Sequence, residues 1–416
     1  MTSNLLYRGT RLITRSRFNI PHHIPPKHTY HAFHTSRRRA RDDSKRSFPA
    51  LFARGGTSNG LIIHRHHLPP QDQWHTVLPA AMGSPDPYGR QLNGMGSGVS
   101  STSKICVLAP TTRPDADVEF TFVQVGIRDG GLDMAGNCGN MLSAVGPASL
   151  ELGLLSGSPR IETDAGTGNR TAVVRIFNTN TAKVIRSSFN VEGNPPRYRT
   201  QGDYAMDGVP GTGSRITLAF LNPAGAKTGR ALPTGNIVDK LALEDGSTIE
   251  ASLVDVSGPG VFVRAADLVG SMDGAETLTP AIVEADSRLK ARLEMVRRAG
   301  AASMGLDPEV QSVPKIVLIL PLGSEAGIDV RCLALSMGQA HKAVPLTLAL
   351  CLGAAAGMPG TIPFMLRARG GGVGGRVVVG HPSGKVEVGT TVEDGEIQSA
   401  ELDRTARILM KGDVFY

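Results

Sequence analysis

Gly136-Asn137-Cys138-Gly139-Asn140 sets a cysteine between two Gly/Asn pairs. A strand-like run ends before it at Gln124-Val125-Gly126. A helix-compatible apolar run follows, first Met141-Leu142-Ser143-Ala144-Val145 and then Leu150 to Leu155. The pentapeptide therefore reads as a turn into a helix start. Glycine permits the tight turn and lets a ligand come close to the backbone. The first turn of a helix leaves N–H groups unpaired and carries partial positive charge, so it attracts carboxylates. One loop thus offers an activatable thiol together with an anion cradle. Read alone, the five residues are equally an ordinary helix cap beside a half-buried cysteine.

The same grammar returns in the second half of the 416 residues. Strand-like runs occupy 48–54, 61–63 and 105–108. In 118–122 the apolar Val118, Phe120 and Phe122 alternate with Glu119 and Thr121. Residues 171–177 and 182–189 read as strands after the pentapeptide, and a short helix is predicted over Gln71 to Met82. From about Arg215 strands recur at 216–220, 253–256, 261–263, 315–320 and 330–336. A long amphipathic helix is predicted over Pro280 to Met304 and a small-residue helix over Pro345 to Ala356. Residues 376–379 and 385–388 read as a hairpin. Each half has many strands and one small-residue helix entered through a polar loop, Asn137 to Asn140 in the first and Gln339 to Thr347 in the second. This pattern predicts an α+β protein of two similar lobes, 48–210 and 211–400, with a site in the cleft between the helix starts. The segment 401–416 is free to return to the first lobe.

The net charge of +7 misleads. Residues 1 to 41 hold nine Lys/Arg and no Asp or Glu, which leaves 35 basic against 37 acidic residues in the body. The body is not basic, so nucleic acid is not an expected partner. On a helix, Arg8, Arg11 and Arg15 share one face and Leu6 and Ile13 the other. Residues 1–47 therefore read as a disordered mitochondrial transit segment, with a matrix destination and cleavage near Arg37 to Arg41. The other reading is a basic tail. The five histidines of this leader are not read as metal ligands. No run approaches 18 apolar residues, so no membrane-spanning helix is expected. Cys106, Cys138, Cys332 and Cys351 form no CxxC pair, which indicates neither a zinc knuckle nor a disulfide framework.

Several residues have the chemistry for a site. Lys104 follows four hydroxyl-bearing residues and precedes an apolar strand. A lysine at the mouth of a buried strand is partly desolvated and serves as a base, although a surface lysine at a strand end is the commoner case. Arg54-Gly55-Gly56-Thr57-Ser58-Asn59-Gly60 offers amides and two hydroxyls to a carboxylate but lacks a Walker lysine. Gly370 to Gly375 follows no strand–helix signature and reads as a flexible loop. His64, His66 and His67 have no acidic ligand pattern, so no metal is expected there. His341-Lys342, before the second helix, places positive charge where an anion would bind, or forms a simple polar pair at a helix start.

The motifs then converge. Arg54-Gly-Gly-Thr-Ser, Met82-Gly-Ser-Pro-Asp-Pro, Arg90-Gln91, Ser101-Thr-Ser-Lys104, Asp117-Val118, Gln124-Val125 and Asn137-Cys-Gly-Asn140 occur in that order. His341-Lys-Ala-Val-Pro345, Gly380-His-Pro-Ser-Gly384 and Arg404-Thr-Ala-Arg407 follow. From about Leu51 to Tyr416 the chain resembles the 2-methylaconitate isomerase (PrpF) family. The resemblance implies the diaminopimelate epimerase fold, in which each of two lobes is a curved sheet around a central helix. It implies a cofactor-free isomerase that moves a proton along the allylic system of a small polycarboxylate of aconitate or methylaconitate type. An oxalomesaconate tautomerase and a non-catalytic companion of an aconitase-like enzyme are the alternatives. A homodimer is one option for its assembly. By the same resemblance Lys104 is the acid/base group and Cys138 the pocket thiol. Substrate contacts are expected from Thr57, Ser58, Asn59, Ser103, Asn137, Gly139 and Asn140 in the first half. In the second half they are expected from Lys315, His341, Lys342 and Thr347. Family members commonly carry Lys or Arg where this chain has Asn59, which predicts one substrate-facing charge fewer. Racemase relatives use a cysteine in each lobe. The second loop here has none, so a lysine-assisted proton shift fits better than two-thiol racemisation.

Overall fold

The run Lys104–Ala109 is apolar almost throughout because both faces of this strand are covered. Cys106 and Leu108 share a core with Met141, Leu142, Val145 and Ala148 of a central helix, Gly139–Glu151. Ile105 and Val107 pack on the other face, against Trp74, Leu78 and Met82 of the helix Trp74–Met82. The two-residue period of a strand sorts the side chains between these layers. The structure is a computed structural model that describes residues 46–134, 138–368 and 375–416. Most of the expected leader, Asn137 and most of the glycine run 370–375 lie outside the described residues. Arg46–Tyr416 makes one compact unit.

The main strands are β1 (Ser47–Gly55), β2 (Ser58–His64), β3 (Lys104–Ala109), β4 (Val118–Val125), β5 (Arg170–Asn178) and β6 (Lys183–Glu192). A hairpin of β7 (Tyr204–Met206) and β8 (Val209–Gly213) follows, then β9 (Ile216–Leu221), β10 (Asp239–Ala242), β11 (Thr248–Asp255) and β12 (Pro259–Arg264). The chain closes with β13 (Lys315–Leu320), β14 (Val330–Ser336), β15 (Arg376–His381), β16 (Gly384–Glu393), β17 (Glu396–Arg404) and β18 (Ala406–Phe415). Hydrogen-bonded neighbours run β18-β1-β2-β3-β4-β5-β6-β9, then β17-β16-β15-β14-β13-β12-β11-β10. The sequence of parallel and antiparallel pairings is the same read from either end. Hence β1 to β6 correspond to β11 to β16, and the α+β fold is an internal repeat. In each half two pairs of neighbouring strands are parallel and so need a crossover: β2 with β3 and β4 with β5 in the first, β12 with β13 and β14 with β15 in the second. The central helices, Gly139–Glu151 and Leu346–Gly357, lie within the β4–β5 and β14–β15 crossovers.

One expectation changes, and two features are additional to the sequence reading. The helix predicted over Pro280 to Met304 is two helices, Pro280–Ala285 and Ser287–Ser303. Asp286 leaves the helical region and its carboxylate caps the N–H groups of Arg288 and Leu289, a local bond that competes with helix continuation. The strands β17 and β18 were not legible. β18 has exposed residues over most of its length, so its burial pattern lacks alternation, yet it pairs with β1 from Ser47↔Phe415 to Gly55↔Ala406. The β7–β8 hairpin turns at Asp207-Gly208, a dipeptide that favours tight hairpins. Among the described residues no helix is long and apolar enough to cross a membrane.

Candidate active site

Lys104 opens β3 and projects, with Cys106 two residues on, toward the central-helix side of the sheet. It is 9% exposed. Its Nζ donates to Gln124 Oε1 at 2.5 Å and lies 5.1 Å from the centre of the Phe122 ring. Gln124 Nε2 donates to the Ser100 and Ser103 carbonyls, which turns its oxygen to the lysine. The ammonium is thus held by an amide oxygen and a ring face rather than by a carboxylate.

Cys138 is the residue before the first central helix, with extended backbone (φ −108°, ψ 97°) and a free, half-buried thiol. It lines the same cavity as Lys104, about 410 Å³ in volume. Gly139 is required by close approach: a Cβ there would stand 2.3 Å from Leu346 Cδ1. Leu346 begins the second central helix, so the two helix starts abut. The turn after β1 closes on the same point. Gly56 has φ +52°, and a Cβ on it would lie 2.3 Å from Asn140 Oδ1. Asn140 Nδ2 donates to Thr57 Oγ1 at 3.0 Å, and its Oδ1 accepts from Arg404 Nε at 3.4 Å.

Arg404, the last residue of β17, lines this cavity and was missed as a site residue. Its Nη1 donates to the Asp403 carbonyl at 2.9 Å. The Asp403 carboxylate is already taken by Thr217, Arg215 and Arg376. Among the described residues Arg404 therefore has no carboxylate partner, and burial pushes its guanidinium below the ordinary value. A sheltered planar cation without a counter-ion is a receptor for a substrate carboxylate. His381 and Asp207 also line the cavity. Burial lowers the His381 imidazole, and the Asp207 charge opposes that shift.

Lys315 opens β13 opposite Gly260, as Lys104 opens β3 opposite Gly60. The repeat makes the two lysines counterparts, a relation legible only from register. Lys315 and Thr347 line an adjoining cavity of about 450 Å³. The Lys315 Nζ donates to the Ser312 carbonyl at 3.1 Å, and burial pushes its ammonium below the ordinary lysine value. His341 lines the Lys104 cavity and is lowered first by burial and then by the Lys315 charge.

The half-buried Lys315 charge has a consequence for stability. Between its folded and unfolded pKa the unfolded chain binds the extra proton, so stability rises with pH in that interval. Below the folded pKa both states are charged and the burial penalty is in force. Lys315→Met should therefore raise the melting temperature at pH 7 by roughly 1–3 °C and flatten the rise on alkalinisation. Thermal unfolding across pH 7 to 10 checks both, and a lower melting temperature at pH 7 refutes the penalty.

The structure brings together Thr57, Ser58, Lys104, Cys138, Asn140 and His341 around one cavity. The other expectations fare differently. Ser103 is fully buried and is spent on Gln91 and the Val125 carbonyl. Lys342 is exposed, and among the described residues its side chain has no hydrogen-bond partner while its carbonyl accepts from Ser383 Oγ. Gly139 spaces the helices. Asn59 lies on the outer face of β2 with Leu61 and Ile63, and lines a different cavity. A charged residue at position 59 would not face Lys104, so Asn59 removes no charge from this cavity.

Comparison with known proteins agrees with this architecture. The profile of the family described as PrpF protein matches residues 45–416. The 2-methyl-aconitate isomerase of Cupriavidus necator is 37% identical over 392 residues, covering 88% of this chain and 96% of that one. The 4-oxalomesaconate tautomerase of Pseudomonas putida is 35% identical over 369 residues, covering 88% and 95%. The crystal structure of methylitaconate-delta-isomerase superposes with a TM-score of 0.76 at 33% identity, covering 89% of this chain and 95% of that one. With its two-half α+β fold and its paired helix starts, this chain belongs to the PrpF family and is an isomerase.

Proposed function

We propose that this isomerase moves a proton along the allylic system of an aconitate-type tricarboxylate, without a cofactor. One observation carries the reading. Lys104 and Cys138, two groups able to exchange protons, line a single cavity with Arg404, a cation that has no carboxylate partner among the described residues. In the proposed reaction a deprotonated member of the pair removes a proton from the carbon next to the C=C bond. The electron pair spreads through that bond into the conjugated carboxylate as a dienolate. Return of a proton to the far carbon shifts the double bond. Rotation before the proton returns to its original carbon exchanges cis and trans isomers. No atom is gained or lost. The developing charge falls on a carboxylate, where helix-start N–H groups and Arg404 stabilise it.

The test is a panel of unsaturated tri- and dicarboxylates in D₂O, followed by proton NMR with no cofactor added. Aconitate or methylaconitate should equilibrate between isomers and take deuterium at the allylic carbon. Turnover of an oxalomesaconate-type acid alone would make the chain a tautomerase, as the Pseudomonas relative is named. No exchange on any acid overturns the reading. With the substrate in hand, Arg404→Met should raise KM about 10- to 100-fold, the loss of a charge-assisted bond to the substrate, with a smaller change in kcat. An unchanged KM would exclude Arg404 from binding.

We propose further that residues 1–41 direct import into the mitochondrial matrix and take no part in turnover. The support is their acid-free basic composition and the compactness of Arg46–Tyr416 by itself. A chain beginning at Asp42 should fold and keep its kcat, and a reporter carrying residues 1–41 should enter mitochondria. An insoluble or inactive truncated chain would make the leader part of the fold.

A further inference from the structure

A second polar cavity, about 500 Å³, lies behind the catalytic one, between the strand pair β1 and β18 and the β7–β8 hairpin. Arg54 and Arg407 are direct register partners across that strand pair. Their neighbours Ala53 and Ala406 pack into the central-helix core, so alternation turns both arginines to the outer face. Like charges set directly opposite in an antiparallel pair repel. Nothing in the lining offsets them, because it contains no Asp or Glu. Its remaining polar groups include Asn59, Gln201, Tyr204, Thr212 and Thr405. Arg54 commits only Nη1, to the carbonyls of Gly56 and Thr405 at 2.8 and 3.0 Å. The Arg407 guanidinium makes no hydrogen bond or ion pair with a described residue. Burial pushes the Arg54 guanidinium below its ordinary value, Tyr198 opposes that shift, and the Arg407 charge adds to it.

We propose that this cavity binds a small polyanion of carboxylate or phosphate chemistry and that the bound ligand acts on the hairpin closing the catalytic cavity. Two guanidinium forks match the oxygen pairs of such an anion, and its charge removes their repulsion. The hairpin supplies the link. It forms a two-stranded sheet of its own and is not part of the main hydrogen-bond ladder. Met206 lines both cavities. At the hairpin tip a Cβ on Gly208 would stand 3.0 Å from Thr57, and Asp207 accepts the Lys385 N–H at 2.6 Å. The tip therefore touches both halves of the repeat across the catalytic cavity, while its back forms a wall of the arginine cavity. Arg54 and Arg407 also belong to the two motifs that deliver Thr57, Ser58 and Arg404 to catalysis, yet they face away from it.

Isothermal titration of the full chain with citrate, succinate and inorganic phosphate tests this. The work is done in the Arg404→Met background, so that binding in the catalytic cavity is weakened. At least one probe should bind at one equivalent, and the identity of that probe names the source of the anion. Adding Arg407→Glu should weaken that binding at least about tenfold, as expected for a lost charge-assisted bond. Arg407→Lys, which keeps the charge but not the fork, should fall between. An unchanged melting temperature shows that the variants are folded. Alkylation of Cys138 by iodoacetamide reads the hairpin, because the other three cysteines are buried. A saturating probe should change that rate with Arg407 present and not with Arg407→Glu. The site is refuted if no probe binds or if Arg407→Glu binds as well as its parent. The coupling is refuted if the alkylation rate ignores the probe.

Discussion

Lys104→Met should lower kcat by at least about 10²-fold, the low end for loss of a general acid–base group, while substrate binding should weaken far less. The geometry argues for this split. Methionine fills much the same volume and keeps contact with the Phe122 ring face, so the wall of the cavity survives. The groups expected to hold carboxylates, Arg404 and the abutting helix starts, are untouched by the substitution. What disappears is the only group the Gln124 amide positions at that point. Near-normal kcat on whichever acid is the substrate would remove Lys104 from the chemistry and leave only fold and family standing. A Gln124→Leu companion should give a smaller loss, since it frees the ammonium without deleting it. The measurement is steady-state kinetics with kcat and KM resolved, because a uniform loss of binding would appear in KM alone.

The parts of this site that were legible in the sequence are those whose signal is local. Cys138 and Asn140 announce themselves by the Gly/Asn turn into an apolar helix, and Lys104 by the hydroxyl run ahead of a buried strand. Both central helices and most core strands follow from periodicity. Arg404 was not legible as a binding group, because its role arises from meeting Asn140, 264 residues away in the chain. Nor does the sequence say that Asp403 beside it is already occupied by other arginines. Asn59 was misplaced by parity. Its neighbour Ser58 faces the cavity, and one step along a strand reverses the face. The equivalence of Lys104 and Lys315 required the pairing register, since a shared Lys-Ile start to an apolar strand is too short a match to show a repeat. The break at Asp286 shows a local cap overriding a helical pattern that was otherwise sound.

Cys138→Ser is the complementary experiment, and a fall in kcat of about 10²-fold or more is expected here too. Serine keeps the size and a hydrogen-bonding group, so the entry to the central helix and its fit against Leu346 should survive. A hydroxyl, however, surrenders its proton far less readily than a thiol. If Cys138 carries the second proton, exchange of solvent deuterium at the allylic carbon should stop together with turnover. If the thiol only shapes the pocket, exchange should persist at a reduced rate. The expected result is the first, because the helix-start position presents the thiol to the same cavity as Lys104 and no other described cysteine is accessible to replace it. The double variant separates two further cases. Groups that act as one proton-transfer unit give losses that do not add, so Lys104→Met with Cys138→Ser should be little worse than the worse single variant. Multiplying losses would instead mean that lysine and thiol serve different steps, one in proton removal and one in holding the carboxylate, and the paired-carrier mechanism would then fail even with both residues essential.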